Sequence, residues 1–331
     1  MTMFSIDILI IVAMYIAIIL DFKFGDPSNK YHPVAWCGNI INKFIPTLKV
    51  KNENKIKEQV NGIFFLFVCA FISVTIIQIL LNVIINNISG YVLSILIIIF
   101  FSIILKSSVA IKGMDDHVKK ILTHVENQDL EKAKQALSLI VRRDTMNLDR
   151  QHLLSGVIEC VGESIVDGVT GPLFYYSIFG PAGAFLYRII NTLDSIIGYR
   201  DKYYINIGYM TAKSDTVFNY LPARITAILI ILTSKLSNDD WRNAFKIMKR
   251  DCHNTLSTNA GFPMSAMAGA LHVQLEKIDN YVLGDNDQEI TIEKCRKSVF
   301  IMKVTTILFC LFVTTPIILL LMYVGWWNII F

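Results

Sequence analysis

The sequence predicts an all-α, multi-span integral membrane protein with broken or re-entrant helices, and three observations predict it. First, runs long enough to cross a hydrocarbon core recur along the chain: Phe4–Leu20, charged only at Asp7, then Val60–Ile85, Tyr91–Leu105 and Val304–Trp327. Second, the basic residues gather in the connections. Lys23–Lys57, Lys112–Arg150 and Lys235–Lys297 hold seven, eight and nine of the 31, and Asn86–Gly90 between two apolar runs holds none. Third, Gly171-Pro172 and Gly180-Pro181 interrupt the apolar stretch Val166–Ile190. Such breaks are tolerated at membrane depth where the backbone is buried in protein or lines a wet cavity. A hydrophobic content of 53% and a mean hydropathy of +0.50 lie above the soluble range. The net charge of +4 is too small to imply nucleic acid.

The first run lacks a basic leader and a small-residue cleavage site before Asp21, so it reads as a retained helix. Gly25-Asp26-Pro27 and His32-Pro33 are turn signals, because proline fixes φ and disfavours helix in the residue before it. Lys49–Gln59 reads as a polar linker or short surface helix. Two apolar runs separate Lys51 from Lys119, which places both on the cytoplasmic side with the other basic segments. Within one integral membrane domain spanning 1–331, the segment 112–150 reads as cytoplasmic and helical, with Leu130, Ala133, Leu137 and Ile140 as its packing face. Arg142-Arg143-Asp144-Thr145 is expected to end that helix, either capping it or gripping phosphate or carboxylate.

The informative stretch runs from Arg142 to Arg224. Glu159, Glu163 and Asp167 are spaced by four, so a continuous helix stacks three carboxylates on one face. Val157, Ile158, Val161, Ile165 and Val166 beside them are too apolar for a solvated face. Arg188, Asn191 and Asp194, spaced by three, form a second polar face among isoleucines. Charge in apolar sequence is costly and calls for a partner, water or a ligand. Leu173–Ile190 is expected to re-enter, keeping a loop from Asp194 to Asp215 at the cytoplasmic face. Ile225–Leu232 is too short to span alone, and is expected either to extend back through Tyr220 or to lie partly embedded. Trp241–Arg250 reads as a surface helix, Ala266–Ala270 as a helix-packing face and Asn259 as a loop polar group. The six cysteines show no C-x-x-C spacing and read as small buried hydrophobes. No Walker A, G-x-G-x-x-G or H-E-x-x-H motif occurs.

Taken together, a set of strings resembles the CbiB/CobD family of cobalamin-biosynthesis membrane proteins, the adenosylcobinamide-phosphate synthases. They are GDP at 25–27, HPV at 32–34, RRDT at 142–145, DGV at 167–169, PLFYY at 172–176, YRIINTLDSIIGYR at 187–200, PARITA at 222–227 and NAGFPMSAMAGAL at 259–271. The chain departs from the family pattern at Gly162-Glu163-Ser164, where Ala-Glu-Asn is usual, and at Thr258, where proline is usual.

The resemblance implies an ATP-dependent carboxylate–amine ligase at the cytoplasmic face of the cell membrane. It joins (R)-1-aminopropan-2-ol O-phosphate, or aminopropanol itself, to a propionate of adenosylcobyric acid, with Mg2+ as the expected ion. It also implies Glu159, Glu163, Asp167 and Asp194 as catalytic residues, the last three as metal ligands. Substrate contacts fall to Asp26, His32, Arg142, Arg143, Asp144, Arg188, Asn191, Thr192, Tyr199, Arg200, Asp215, Arg224 and Asn259. Other enzymes of the corrinoid pathway are possible partners. Intramembrane charge and broken helices fit a second class as well, a transporter or scaffold that binds a corrinoid or metal without chemistry.

Overall fold

The computed structural model describes residues 6–50, 54–199 and 201–330, so Lys51 and Arg200 lie outside the described residues. Helices α1 (Ile6–Phe24) and α2 (Pro33–Leu48) precede the long α3 (Lys55–Asn87) and α4 (Gly90–Lys106). Three shorter helices follow, α5 (Ile111–Glu126), α6 (Leu130–Ser138) and α7 (Arg150–Ile165), then a π-helical segment at Val166–Thr170. Next come α8 (Gly171–Ile197), α9 (Tyr209–Leu236), α10 (Trp241–Asp251) and α11 (Gly261–Leu271). Strands β1 (Leu275–Lys277) and β2 (Tyr281–Leu283) form a small antiparallel hairpin with Glu276 opposite Val282. The chain closes with α12 (Ile292–Phe309), a second π segment at Cys310–Thr314, α13 (Thr315–Tyr323) and α14 (Trp327–Ile330).

Local chemistry sets these boundaries. Pro33 opens α2, where its missing N–H costs nothing. The side chains of Asn54, Asp129, Asp149 and Asp240 accept backbone N–H bonds at the starts of α3, α6, α7 and α10. Gln128 at φ 58° ends the turn after α5 and divides the helical segment 112–150 into α5 and α6. Arg142–Thr145 lies in the connection after α6, beyond the helix it was expected to end. Gly180 at φ 63° breaks α8 in the middle, as the Gly180-Pro181 pair implied.

Among the described residues, four helical runs are long and apolar enough to cross a membrane: Lys55–Asn87, Gly90–Glu126, Tyr209–Leu236 and Ile292–Tyr323. The protein is thus an all-α, multi-span membrane protein. The set differs from expectation at two points. Helix α1, which carries Lys23 and Asp21 as well as Asp7, is not among the four. Helix α9 is, because the apolar run at 225–232 continues back to Tyr209 as one 28-residue helix. Asp215 therefore sits on a helix and not in a loop. Lys55–Gln59 likewise belongs to α3.

The chain packs as two compact units. The first comprises residues 1–110, 171–218 and 310–331, the second residues 111–170 and 219–309. In the first unit Val34, Ile41 and Ile45 of α2 pack with Phe65, Leu66 and Ile77 of α3 and with Ile189, Leu193 and Ile197 of α8. Gly62 is required there, since a Cβ would lie 1.9 Å from the Ile207 carbonyl oxygen. The outer faces of α3 and α4 stay apolar: Phe64 and Phe71 are 70% and 71% exposed. Apolar surface on that scale is what lipid covers. In the second unit α7 and α11 are buried over most of their length. Helix α11 lies against α10 so closely that a Cβ on Gly269 would meet the Asn243 carbonyl oxygen at 2.7 Å, which bears out the small-residue packing face.

Candidate functional site

In the second unit the polar chemistry centres on α7. Its face bearing residues 155, 159 and 163 repeats at the helical period, and the structure divides the three by burial. Glu159 is buried and holds three donors. Arg143 Nη2 lies 3.1 Å and Ser155 Oγ 2.7 Å from its Oε1, and the Tyr281 hydroxyl lies 2.8 Å from its Oε2. With side-chain exposures of 12% and 7%, Arg143 and Glu159 form a buried ion pair. Gly156 makes room for it, since a Cβ there would stand 2.4 Å from Arg143 Nη2. The same network fixes the hairpin. Glu276 N–H donates to Ser155 Oγ at 2.9 Å, and Arg143 Nη1 donates to the Glu276 carbonyl at 3.4 Å. Burial, then the Glu159 charge and hydrogen bond, raise the Tyr281 hydroxyl far above its ordinary range, so it stays a donor.

Glu163, one turn on, is exposed, and Asp167 is half-buried in the π segment that follows α7. The wider π turn ends the regular i, i+4 stacking expected for a continuous helix. Asp167 instead accepts a bond of 3.1 Å from Asn219 Nδ2. Thr170 Oγ1 donates five residues back to the Ile165 carbonyl at 3.1 Å and meets Thr226 Oγ1 at 2.7 Å. Arg224 lies between two rings, its guanidinium carbon 3.5 Å from the Tyr220 centroid and 4.3 Å from that of Phe262. Its Nη1 donates to Asn259 Oδ1 at 3.1 Å, so the loop asparagine is a buried acceptor. Arg142 is exposed. Asp144 closes its own turn by accepting from Met146 N–H at 2.9 Å and from Asn147 Nδ2 at 3.0 Å.

In the first unit, Arg188, Asn191 and Asp215 form a chain of hydrogen bonds. Arg188 Nη1 lies 3.4 Å from Asn191 Oδ1, and Asn191 Nδ2 lies 3.3 Å from Asp215 Oδ1. Thr192 Oγ1 donates to the Arg188 carbonyl at 2.7 Å, Asp194 is half-buried, and Tyr199 packs at a tilt on Tyr204. Asp26 and His32 meet at 3.5 Å, and Lys106 joins them, 3.1 Å from Asp26 and 3.6 Å from the buried Asp21. Burial pushes the Asp26 carboxyl up, but the His32 hydrogen bond and the Lys106 charge outweigh it and hold the group below its ordinary value.

The sequence pattern missed Ser155, Tyr281, Asn219 and Lys106 as partners, because each reaches its carboxylate through tertiary packing. It also missed Glu58, which is fully buried against Lys49 at 2.8 Å and Asn206 at 3.0 Å. Within either unit, among the described residues, no three His, Cys, Asp or Glu side chains converge as a metal cluster.

Long apolar helices with buried Arg–carboxylate and amide–carboxylate pairs define a polytopic membrane protein that carries polar chemistry inside an apolar scaffold. The chain belongs to the CobD/CbiB family: the family model described as CobD/Cbib protein matches residues 14–322. It is 36% identical over 290 residues to "Probable cobalamin biosynthesis protein CobD" of Methanococcus aeolicus, covering 87% of this chain and 91% of the relative. The protein with the same printed name from Methanothermobacter thermautotrophicus is 35% identical over 298 residues, with 90% and 95% covered. "Cobalamin biosynthesis protein CobD" of Clostridium perfringens is 36% identical over 290 residues, with 87% and 89% covered. No solved structure matches.

Proposed function

We propose that this protein is a membrane enzyme of cobalamin biosynthesis. It forms the amide between a propionate carboxyl of adenosylcobyric acid and (R)-1-aminopropan-2-ol O-phosphate, giving adenosylcobinamide phosphate. The observation that carries this reading is family membership across residues 14–322, with relatives named for cobalamin biosynthesis.

The residues fit the chemistry. A carboxylate resists attack by an amine until it is activated, and a nucleoside triphosphate, ATP, supplies the activating phosphoryl group. Magnesium takes hard oxygen ligands and is held by one or two carboxylates plus water and phosphate. The exposed Glu163 and the half-buried Asp167, on either side of the start of the π segment, are the carboxylates that would hold it. When bound, the ion neutralises phosphoryl oxygens. The exposed Arg142 offers a fork for phosphate or propionate, and Arg224, flattened between two rings, presents a held guanidinium. Glu159 has its acceptors filled by Arg143, Ser155 and Tyr281, so its part is to hold Arg143 and the hairpin in place.

The test is direct. Purified protein in detergent, given adenosylcobyric acid, aminopropanol phosphate and Mg-ATP, yields the amide by mass spectrometry. Corrinoid binding with no amide product would move the protein to the transporter or scaffold class.

A further inference from the structure

The reaction proposed above needs a proton acceptor. Its amine arrives as an alkylammonium whose pKa is near that of lysine, about 10, whereas a carboxylate titrates near 4 and an imidazole near 6.5. An imidazole is the better-matched base, and the second unit places one in a cavity. The cavity, of about 320 Å³, lies beside the first two turns of α7, and its lining includes Gln151, His152, Ser155, Gln274, Glu276 and Glu289. That volume suits a small ligand. Among the described residues, no lysine or arginine lines it, while two carboxylates do. Its chemistry therefore favours a small organic cation with further hydrogen-bonding groups.

The imidazole is held for the task. Asp149 caps α7 through the His152 backbone N–H at 2.8 Å, and its Oδ1 also lies 2.8 Å from His152 Nδ1. That bond sets the tautomer with hydrogen on Nδ1 and leaves Nε2 as the acceptor. Nε2 is 3.7 Å from Glu276 Oε2, beyond a direct hydrogen bond and close enough for both to touch one ammonium. Gln274 Nε2 steadies the same Glu276 oxygen at 3.3 Å. The Glu276 backbone is clamped on both sides, by Ser155 and by Arg143. Asp149 and Glu276 face the ring, and Glu289 lines the same cavity.

We infer that this cavity binds the ammonium end of the amine substrate, with Glu276 and Glu289 as counter-charges and His152 Nε2 as the base. One N–H proton passes to Nε2. The nitrogen keeps the electron pair as a free amine, and the ring becomes an imidazolium facing Asp149 and Glu276. The chemical half of this inference rests on the amide-forming reading; the binding half does not.

The experiment uses the full-length protein in detergent. Calorimetry with 1-aminopropan-2-ol, and separately with its O-phosphate, is run without nucleotide or corrinoid. Glu276→Gln and Glu289→Gln should each weaken amine binding about tenfold. Glu276→Gln spares the clamp, which uses only backbone atoms. His152→Gln also keeps the backbone cap. It should bind amine within twofold of wild type, lower kcat about 100-fold and lose the acidic limb of the kcat–pH profile. Amine affinity unchanged in the double glutamine variant overturns the binding site. An acidic limb retained in His152→Gln overturns the base. If wild type binds amine through the glutamates yet forms no amide, the reaction falls and the site stands.

Discussion

Helices α3 and α7 are both apolar, and each buries a glutamate against a cation, yet they differ in what surrounds the pair. Helix α3 turns Phe64, Phe67 and Phe71 outward and keeps one fully buried carboxylate, Glu58, tied to Lys49 and Asn206. Helix α7 buries Leu153, Leu154, Val157, Ile158 and Val161, and its polar face graduates from the satisfied Glu159 to the exposed Glu163. A buried carboxylate with donors on both oxygens is a strut; an exposed one can reach a ligand. The comparison separates residues that sequence spacing makes look alike.

The largest effect should come from breaking the strut on α7. Arg143→Ala leaves Glu159 charged and buried with only hydroxyl donors, at a cost of about 3–5 kcal/mol. A thermal melt in detergent should show a large drop, and an unchanged midpoint would mean that the pair carries no stability. Next, packing should distinguish the two helices. Leu154→Ala in α7, a fully buried site, should cost about 2–5 kcal/mol, whereas Phe71→Ala on the outer face of α3 should stay within about 0.5 kcal/mol. Equal losses would show that the α3 face packs against protein and not lipid.

These contrasts also mark what was legible in the sequence. The runs that became α3 and α4 announced themselves, because no charged residue interrupts Val60–Ile85 or Tyr91–Leu105. Helix α9 was legible only in part: the apolar run could be followed back through Tyr220, but Lys213 and Asp215 made its first turns look like a loop. The carboxylate face of α7 was visible by period, but its division was not. Tyr281 and Glu159 are 122 residues apart, and no local pattern reports such a contact. The hairpin that carries Tyr281 and Glu276 has strands of three residues, too short for an alternation to stand out. Motif strings singled out Arg224, Asn259, Asp26 and His32 one by one, while their pairing, and Lys106 beside Asp26, came only with the fold.

A smaller effect should appear with pH. The Asp26 carboxyl is held below its ordinary value in the folded protein, so its contribution to stability is present above about pH 3.9 and fades as pH falls through the lower folded value. Asp26→Asn should flatten that acid dependence in melts run between about pH 5 and pH 2. An identical acid profile in the variant would show that the Lys106 and His32 contacts do not stabilise the charged form.

The central claim is that the exposed carboxylate on α7, Glu163, serves chemistry and the buried one on α3, Glu58, serves structure. The measurement that tests it most directly compares amide formation in Glu163→Gln and Glu58→Gln, at matched amounts of folded protein. Glu163→Gln should melt like wild type and lose turnover by about 100-fold or more. Glu58→Gln should lose about 1–3 kcal/mol of stability and keep its turnover per folded molecule. Wild-type turnover in Glu163→Gln, or a stable but inactive Glu58→Gln, would contradict the account.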